Sequence, residues 1–273
     1  MNDIDNHHIY ISLTCISSRL PDIERVIHSL LNQTLPAQKI ILNISHEPFL
    51  EDKGISESDL PPFVHQMIDR GRVELCYCAN SGPYRKILPT LERYADSNVW
   101  IATADDDVIY PDNWLEGLVK VAKKYKCISA YRCRLILIEN GHILPYNIWP
   151  LINSIFKEQF IERNQLDQPS LMFFPTGRDG ILYHSSHLRD LKTLYNLRAL
   201  APFQDDISLK FYTLMKNIPV AIVPSPEKWE SEVFPGTGHS GPTLWNLNQN
   251  GENDKAISRV LEYCKRRPQM DDA

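Results

Sequence analysis

Long apolar runs are missing from this chain. No stretch of about 18 consecutive hydrophobic residues occurs, so no membrane-spanning helix is expected. Clustered positive charge is missing too: 29 Lys and Arg stand against 34 Asp and Glu, a net charge of -5. That balance argues against a nucleic-acid partner held by phosphate neutralisation. The six cysteines (Cys15, Cys76, Cys78, Cys127, Cys133, Cys264) follow neither a C-x-x-C nor a zinc spacing. Most sit in apolar, strand-like surroundings, which predicts free thiols in a reducing compartment. Met1–His8 is polar, so neither a signal nor a transit peptide is expected. Internal repeats and low-complexity tracts are absent as well. At 43% hydrophobic over 273 residues, the composition fits one large domain with a sizeable core.

The apolar pattern alternates between two periods. Ile9–Thr14 is β-branched and alternating, and Ile23, Val26, Ile27, Leu30 and Leu31 then recur at helical spacing before the apolar run Lys39–Ile44. A β-α-β opening follows, with a crossover long enough for a parallel pair. A helix is expected over Pro62–Asp69, a strand over Val73–Tyr77, a helix over Tyr84–Tyr94 and a strand over Asn98–Thr103. Pro111 fits a first helical position for a helix reaching Tyr125. Cys127–Leu137 reads as one strand or two, residues 138–182 as short strands and loops. Helices are expected again at Ser186–Leu194, Asp205–Met215 and Asp254–Arg266, with a strand at Val220–Val223. Such alternation predicts an α/β sheet with helices on both faces.

The chemistry concentrates at Trp100–Pro111, where an apolar strand ends in Asp105-Asp106-Asp107. Adjacent carboxylates repel by roughly 1 kcal/mol in water and several-fold more when partly desolvated. Two readings compete: a divalent-metal site for a phosphorylated ligand, or a solvated acidic turn capping the next helix. Ligands of open α/β sheets bind beyond the carboxyl ends of the strands. The triple Asp stands at such an end, which favours the metal site.

Thr103-Ala104-Asp105-Asp106-Asp107 with Ile109-Tyr110-Pro111-x-x-Trp114-Leu115 resembles the Asp-x-Asp region of GT-A glycosyltransferases, close to the family-two-like group of bacterial surface-polysaccharide enzymes. Ser12-Leu13-Thr14 through Arg19, Gly82-Pro83-Tyr84-Arg85-Lys86 and the pair Asp205-Asp206 fall in the order expected of that family. The resemblance covers roughly residues 9–225 and is most specific over 82–115. It implies a GT-A type α/β fold: a mixed, mostly parallel central sheet flanked by helices, with a Rossmann-like nucleotide-binding half and an acceptor-binding half. The expected organisation is a single domain over 1–273, with a nucleotide-sugar half at 8–125, an acceptor and catalytic half at 126–225 and a C-terminal loop and helix at 226–273.

The resemblance also implies roles. Asp107 would hold Mn2+ or Mg2+ and Asp105 the donor ribose or a metal-bound water, with Asp106 a neighbour or spacer on the donor side. Asp206 would be the general base that removes the acceptor hydroxyl proton in an inverting transfer, and Asp205 would position the acceptor. A bland account of the same pair is helix capping. Thr14, Arg19, Ser45 and Lys86 are expected on the nucleotide-sugar donor, whereas Arg85 reads better as part of a solvated helix face. Gly177-Arg178-Asp179-Gly180 resembles an acceptor-side loop, and an ordinary hairpin is the alternative. His184 and His187 have i,i+3 spacing without an obvious third ligand.

Gly236-Thr237-Gly238-His239-Ser240-Gly241 matches the dinucleotide fingerprint by letter. It lies late in the chain between Pro235 and Pro242, not between a first strand and its helix, so that reading is rejected. A glycine-hinged loop carrying His239 into the metal shell is the alternative. The expected partners are a nucleotide-sugar donor, UDP-linked, and a glycan or lipid-linked acceptor. The expected location is cytoplasmic, with Lys265-Arg266-Arg267 allowing peripheral contact with the inner face of the plasma membrane. Competing functions are a nucleotidyltransferase, which would want a Gly-rich loop that Cys15–Leu20 lacks, and a catalytically silent nucleotide-sugar-binding subunit.

Overall fold

A computed structural model describes residues 8–152, 168–224, 232–233 and 251–266. The first half alternates strands and helices: β1 (Ile9–Thr14), α1 (Ile23–Leu31), β2 (Lys39–Ile44), α2 (Pro62–Asp69), β3 (Val73–Tyr77), α3 (Leu88–Tyr94), β4 (Trp100–Ala104), β5 (Val108–Ile109) and α4 (Trp114–Tyr125). The second half adds β6 (Ile128–Ala130), β7 (Cys133–Leu135), the hairpin β8 (Ile138–Glu139) and β9 (His142–Ile143), β10 (Leu151–Ile152), β11 (Phe173–Pro175) and β12 (Ile181–His184). Then come α5 (Leu191–Leu200), α6 (Asp205–Met215), β13 (Val220–Ile222), β14 (Glu232–Val233) and α7 (Glu252–Arg266).

Seven strands form the central sheet in the order β13-β6-β12-β4-β1-β2-β3. β1 pairs in parallel with both β2 and β4, and β13 with β6. β12 runs antiparallel to both its neighbours, the one reversed strand of the seven. Both faces are covered, which is why β1 and β2 read as near-continuous apolar runs. Ile9, Ile11 and Leu13 face one core with α1, α2 and α4, while Tyr10 faces the other with α3, α5, α6 and α7. A small second sheet, β10-β7-β11, lies beside the main one. All six cysteines are free thiols, as their spacing predicts.

The winding runs outward from β1 through β2 to β3 and then returns to β4 on the other side of β1. That reversal opens a crevice at the carboxyl ends of β1 and β4, the usual ligand position in such sheets. Leu13 pairs with Ala104, so the residues just after each strand, Cys15–Arg19 and Asp105–Asp107, face each other across it.

Three helix starts differ from the sequence expectation by three residues or more. α4 begins at Trp114, not Pro111, because residues 105–113 form the acidic turn and β5, which pairs with β14. The Gln33 side chain joins the two pieces: its amide donates to the Pro111 carbonyl at 2.7 Å and its oxygen accepts from Leu115 N–H at 2.9 Å. Gly82–Lys86 is a 3-10 turn separate from α3, since Pro89 supplies no N–H to continue the ladder. Ser185–Leu188 is likewise a 3-10 turn, and the helix proper starts after Asp190, whose carboxylate accepts from Thr193 N–H at 3.0 Å.

Candidate active site

The three consecutive aspartates point in three directions. Asp105 faces Lys86, Oδ1 to Nζ 2.9 Å. Its backbone N–H donates to the Tyr110 hydroxyl at 2.8 Å, which donates in turn to the Arg178 carbonyl at 3.2 Å. Asp106 turns inward and is 5% exposed. It accepts from Ile16 N–H at 3.1 Å and from Arg19 Nη1 at 2.7 Å, fastening the end of β4 to the loop after β1. Asp107 Oδ2 lies 3.1 Å from the same Arg19 Nη1. Burial and the charge of Asp105 push the Asp107 carboxyl up to about 6. Asp105 goes the other way: burial opposes its charge, but Lys86, then Arg19 and Arg178, hold its carboxyl below the usual range.

Lys86 joins this turn to the second acidic pair. Its Nζ lies 3.5 Å from Asp205 Oδ2 at the start of α6. The lysine is located by buried polar groups: Ser12 Oγ on β1 donates to the Lys86 carbonyl at 2.6 Å, and Asn43 on β2 donates to Ser12 Oγ at 3.1 Å. Tyr84, two residues earlier, donates to the Ala201 carbonyl and shares a 2.6 Å hydrogen bond with Ser208, tying the same segment to α6. Burial works against the ammonium, yet Asp105, Asp205 and Asp206 hold its pKa well above the ordinary value. Asp206 accepts from Gly177 N–H at 3.2 Å. Burial, then the charge of Asp205, push its carboxyl up to about 7. Gly177 is fixed by crowding: a Cβ there would stand 2.9 Å from Lys86 Nζ and 3.4 Å from Asp206 Oδ1. The residues 177–180 form a 3-10 turn, closed by Gly180 at φ +93° against the Trp114 ring, and not a hairpin.

One ion pair of the site went unread in the sequence. Arg85 is 1% exposed, so it is no solvated helix face. Its Nη2 lies 2.7 Å from Asp52 Oδ2, on the loop after β2. Asp52 Oδ1 also accepts from Ser17 N–H at 3.0 Å and Gly54 N–H at 3.1 Å, so this carboxylate gathers three loops under the crevice. Among the described residues the Arg85 Nε and Nη1 are buried without a partner. Asp52-Lys53-Gly54 is the local signal, a turn in which the Asp side chain bonds a backbone N–H two residues on.

The remaining expected residues fall around this centre or outside it. Thr14 ends β1 with a buried hydroxyl that has no partner among the described residues. Ser45 is buried at the end of β2, and its hydroxyl accepts from Glu47 N–H at 3.1 Å within the loop. His184 and His187 lie at the opposite edge of the sheet, packed on Trp100. Burial, then His184, depress His187 to about 4. His239 and the glycine-rich segment around it lie outside the described residues, as does Arg267. Among the described residues no group of three or more side chains converges as a metal cage. The donor set suits a hard cation held by one or two carboxylates, with substrate phosphates and water completing its shell. Asp107 fits that part best, because Asp106 is committed to the Ile16 amide.

No protein-family model and no curated protein sequence matches the chain. Solved structures do. Residues 1–349 of TarS from S. aureus superpose with a TM-score of 0.50 at 14% identity, over 96% of this chain and 73% of that one. The mannosyltransferase PcManGT from Pyrobaculum calidifontis, solved with GDP-Man and Mn2+, gives a TM-score of 0.54 at 10% identity, over 96% of this chain and 65% of that one. At such identities the shared property is the fold, here a mostly parallel seven-stranded sheet flanked by helices. The chain has the GT-A glycosyltransferase fold.

Proposed function

We propose that this protein is a metal-dependent, inverting glycosyltransferase that moves a sugar from a nucleotide diphosphate, UDP in the first instance, to a hydroxyl of a glycan or lipid-linked acceptor in bacterial surface-polysaccharide synthesis. The observation that carries the reading is Lys86, whose ammonium lies between Asp105 after β4 and Asp205 at the start of α6. It makes one site of two acidic groups that are far apart in sequence.

In this reading the nucleotide diphosphate lies in the crevice between the ends of β1 and β4, near Thr14, Arg19 and Asp105. Asp206 takes the proton of the acceptor hydroxyl. The oxygen then bonds to the anomeric carbon as the bond from that carbon to the diphosphate oxygen breaks on the opposite face. Lys86 and Arg19 are the cations available to the leaving diphosphate. Mn2+ or Mg2+ at Asp107, with Asp105 near it, would supply further neutralisation of the phosphates. A carboxyl poised at about 7 is matched to a base working near neutral pH. The six free thiols support a reducing, cytoplasmic location, and among the described residues no helix is long and apolar enough to cross a membrane.

The test is a panel of nucleotide sugars with Mn2+, read first by thermal shift and then by release of nucleoside diphosphate. One nucleotide should stabilise the protein and its sugar conjugate should be turned over. Asp107→Ala should abolish both. Turnover that survives Asp107→Ala would reject the metal assignment. Binding without turnover for any acceptor would favour a silent donor-binding subunit.

A further inference from the structure

Arg132 and Arg134 flank Cys133 at the start of β7. Spacing of two residues on a strand puts both on one face, while Cys133, fully buried, points to the other. Arg134 Nη1 donates to the Trp149 carbonyl at 2.8 Å, and its guanidinium lies 4.8 Å from the centre of the Tyr146 ring. Its Nε is buried with no partner among the described residues. Arg132 Nη1 donates to the Thr176 hydroxyl at 3.1 Å. Among the described residues neither guanidinium has a carboxylate within ion-pair distance. The next residue after Thr176 is Gly177, the donor to Asp206, and after it comes Arg178, half-exposed and 3.8 Å from Asp179. Burial and the neighbouring charges of Arg178 and Arg134 depress Arg132, against the pull of Asp179.

Arg132 stands close enough to Arg134 and Arg178 to feel both charges, and guanidinium groups so grouped, two of them without a carboxylate among the described residues, are costly without an anion. Their planar forks match carboxylate and phosphate oxygens. Arg132 and Arg134 stand at the small β10-β7-β11 sheet, apart from β1 and β4, while the charge of Arg178 reaches both Arg132 and Asp105. We propose that Arg132, Arg134 and Arg178 form an oxyanion subsite and that the acceptor carries a phosphate or carboxylate close to the hydroxyl that receives the sugar. The word acceptor rests on the glycosyltransferase reading; the anion subsite itself does not.

The experiment titrates the full-length protein, free of nucleotide and metal, with glycerol 3-phosphate, glycerate and glycerol at constant ionic strength, followed by calorimetry. Glycerol 3-phosphate or glycerate should bind and glycerol should not, and the stronger of the two names the acid. Arg132→Gln and Arg134→Gln should each weaken binding about tenfold, with Arg→Lys at the same positions recovering part of it. Arg178→Gln, at a half-exposed position, should weaken it as well and keeps the test valid if the buried variants fail to fold. Absence of anion binding, or binding unchanged in all three Gln variants, overturns the proposal. So does an equal loss of nucleoside diphosphate affinity in those variants, which would assign the arginines to the donor. A wild-type protein that binds glycerol 3-phosphate but no nucleotide in the panel would instead reject the glycosyltransferase reading and leave the subsite standing.

Discussion

Arg19 Nη1 lies 3.1 Å from Asp107 Oδ2, so the carboxylate best suited to a divalent cation already holds a cation of the protein's own. The same nitrogen is 2.7 Å from Asp106. Under the proposed function, metal and guanidinium would compete for Asp107. Arg19→Gln should tighten Mn2+ binding in the absence of nucleotide several-fold, by removing the competing charge. Electron paramagnetic resonance of free Mn2+ measures this directly. Unchanged or weaker Mn2+ affinity would show that Asp107 is not the ligand.

Asp206 gives a pH signature with a definite sign. Its carboxyl is raised to about 7 by burial and Asp205, so the native state holds this proton more tightly than the unfolded chain does. As pH climbs from about 4 to about 7 the unfolded chain loses the proton first, and native stability falls through that window. Asp206→Asn removes the effect. The variant should be more stable than wild type at pH 8 by about 1–3 kcal/mol, which is ~2–4 °C in Tm per kcal/mol, with the gap shrinking toward pH 5. Thermal melts at the two pH values decide it.

The same carboxyl, acting as base, must be ionised. kcat/KM should rise with unit slope below about pH 7 and level off above it. A flat profile between pH 5 and 8 would remove Asp206 from the base role.

Gly177→Ala tests the packing of the charge cluster. The new Cβ would stand 2.9 Å from Lys86 Nζ, the free end of a flexible side chain, so the lysine yields at little structural cost. It would then leave its place between Asp105 and Asp205. We expect transfer to fall about tenfold, ~1.4 kcal/mol in the barrier, with stability changed by less than ~1 kcal/mol. Equal losses in both would mark Gly177 as merely structural.

Breaking the Asp52–Arg85 pair should be far more damaging to the fold. Asp52→Asn leaves a buried guanidinium without its carboxylate, and two of its nitrogens already lack partners among the described residues. A loss of about 3–5 kcal/mol is expected in urea denaturation. A loss below ~1 kcal/mol would mean that water reaches Arg85.

What the sequence made legible follows from the range of the interactions. β1, α1, β2 and α6 are written in local periodicity, and their bounds match within a residue or two. The acidic turn at the end of β4 was readable because three carboxylates in a row need a local explanation. Asp52 and Arg85 were not, since 33 positions separate them and only the folding back of the loop after β2 joins them. Arg132 and Arg134 were missed for a related reason. Their nearness to Gly177 exists only through the antiparallel pairing of β7 with β11, and neither arginine carries a motif of its own. Pro111 misled because proline is as fit for a turn as for a first helical position, and Gln33, a distant residue, decides between them.

The reversed course of β12 has a consequence for how this architecture can change. In the parallel strands, site loops leave the sheet at the carboxyl edge. β12 brings its amino end there instead, with Ile181 opposite Thr103, so residues 176–180 enter the sheet at the site. This short segment is clamped between β11 and β12 and carries Gly177 and Arg178 past Asp206. Gly177 and Gly180 are fixed there by Lys86 and the Trp114 ring, so the half-exposed Arg178 between them is the position that can be exchanged while Thr14, Arg19 and Asp105–Asp107 stay on their own segments. Under the proposed function, substitution at this one position is the simplest route to a changed acceptor preference.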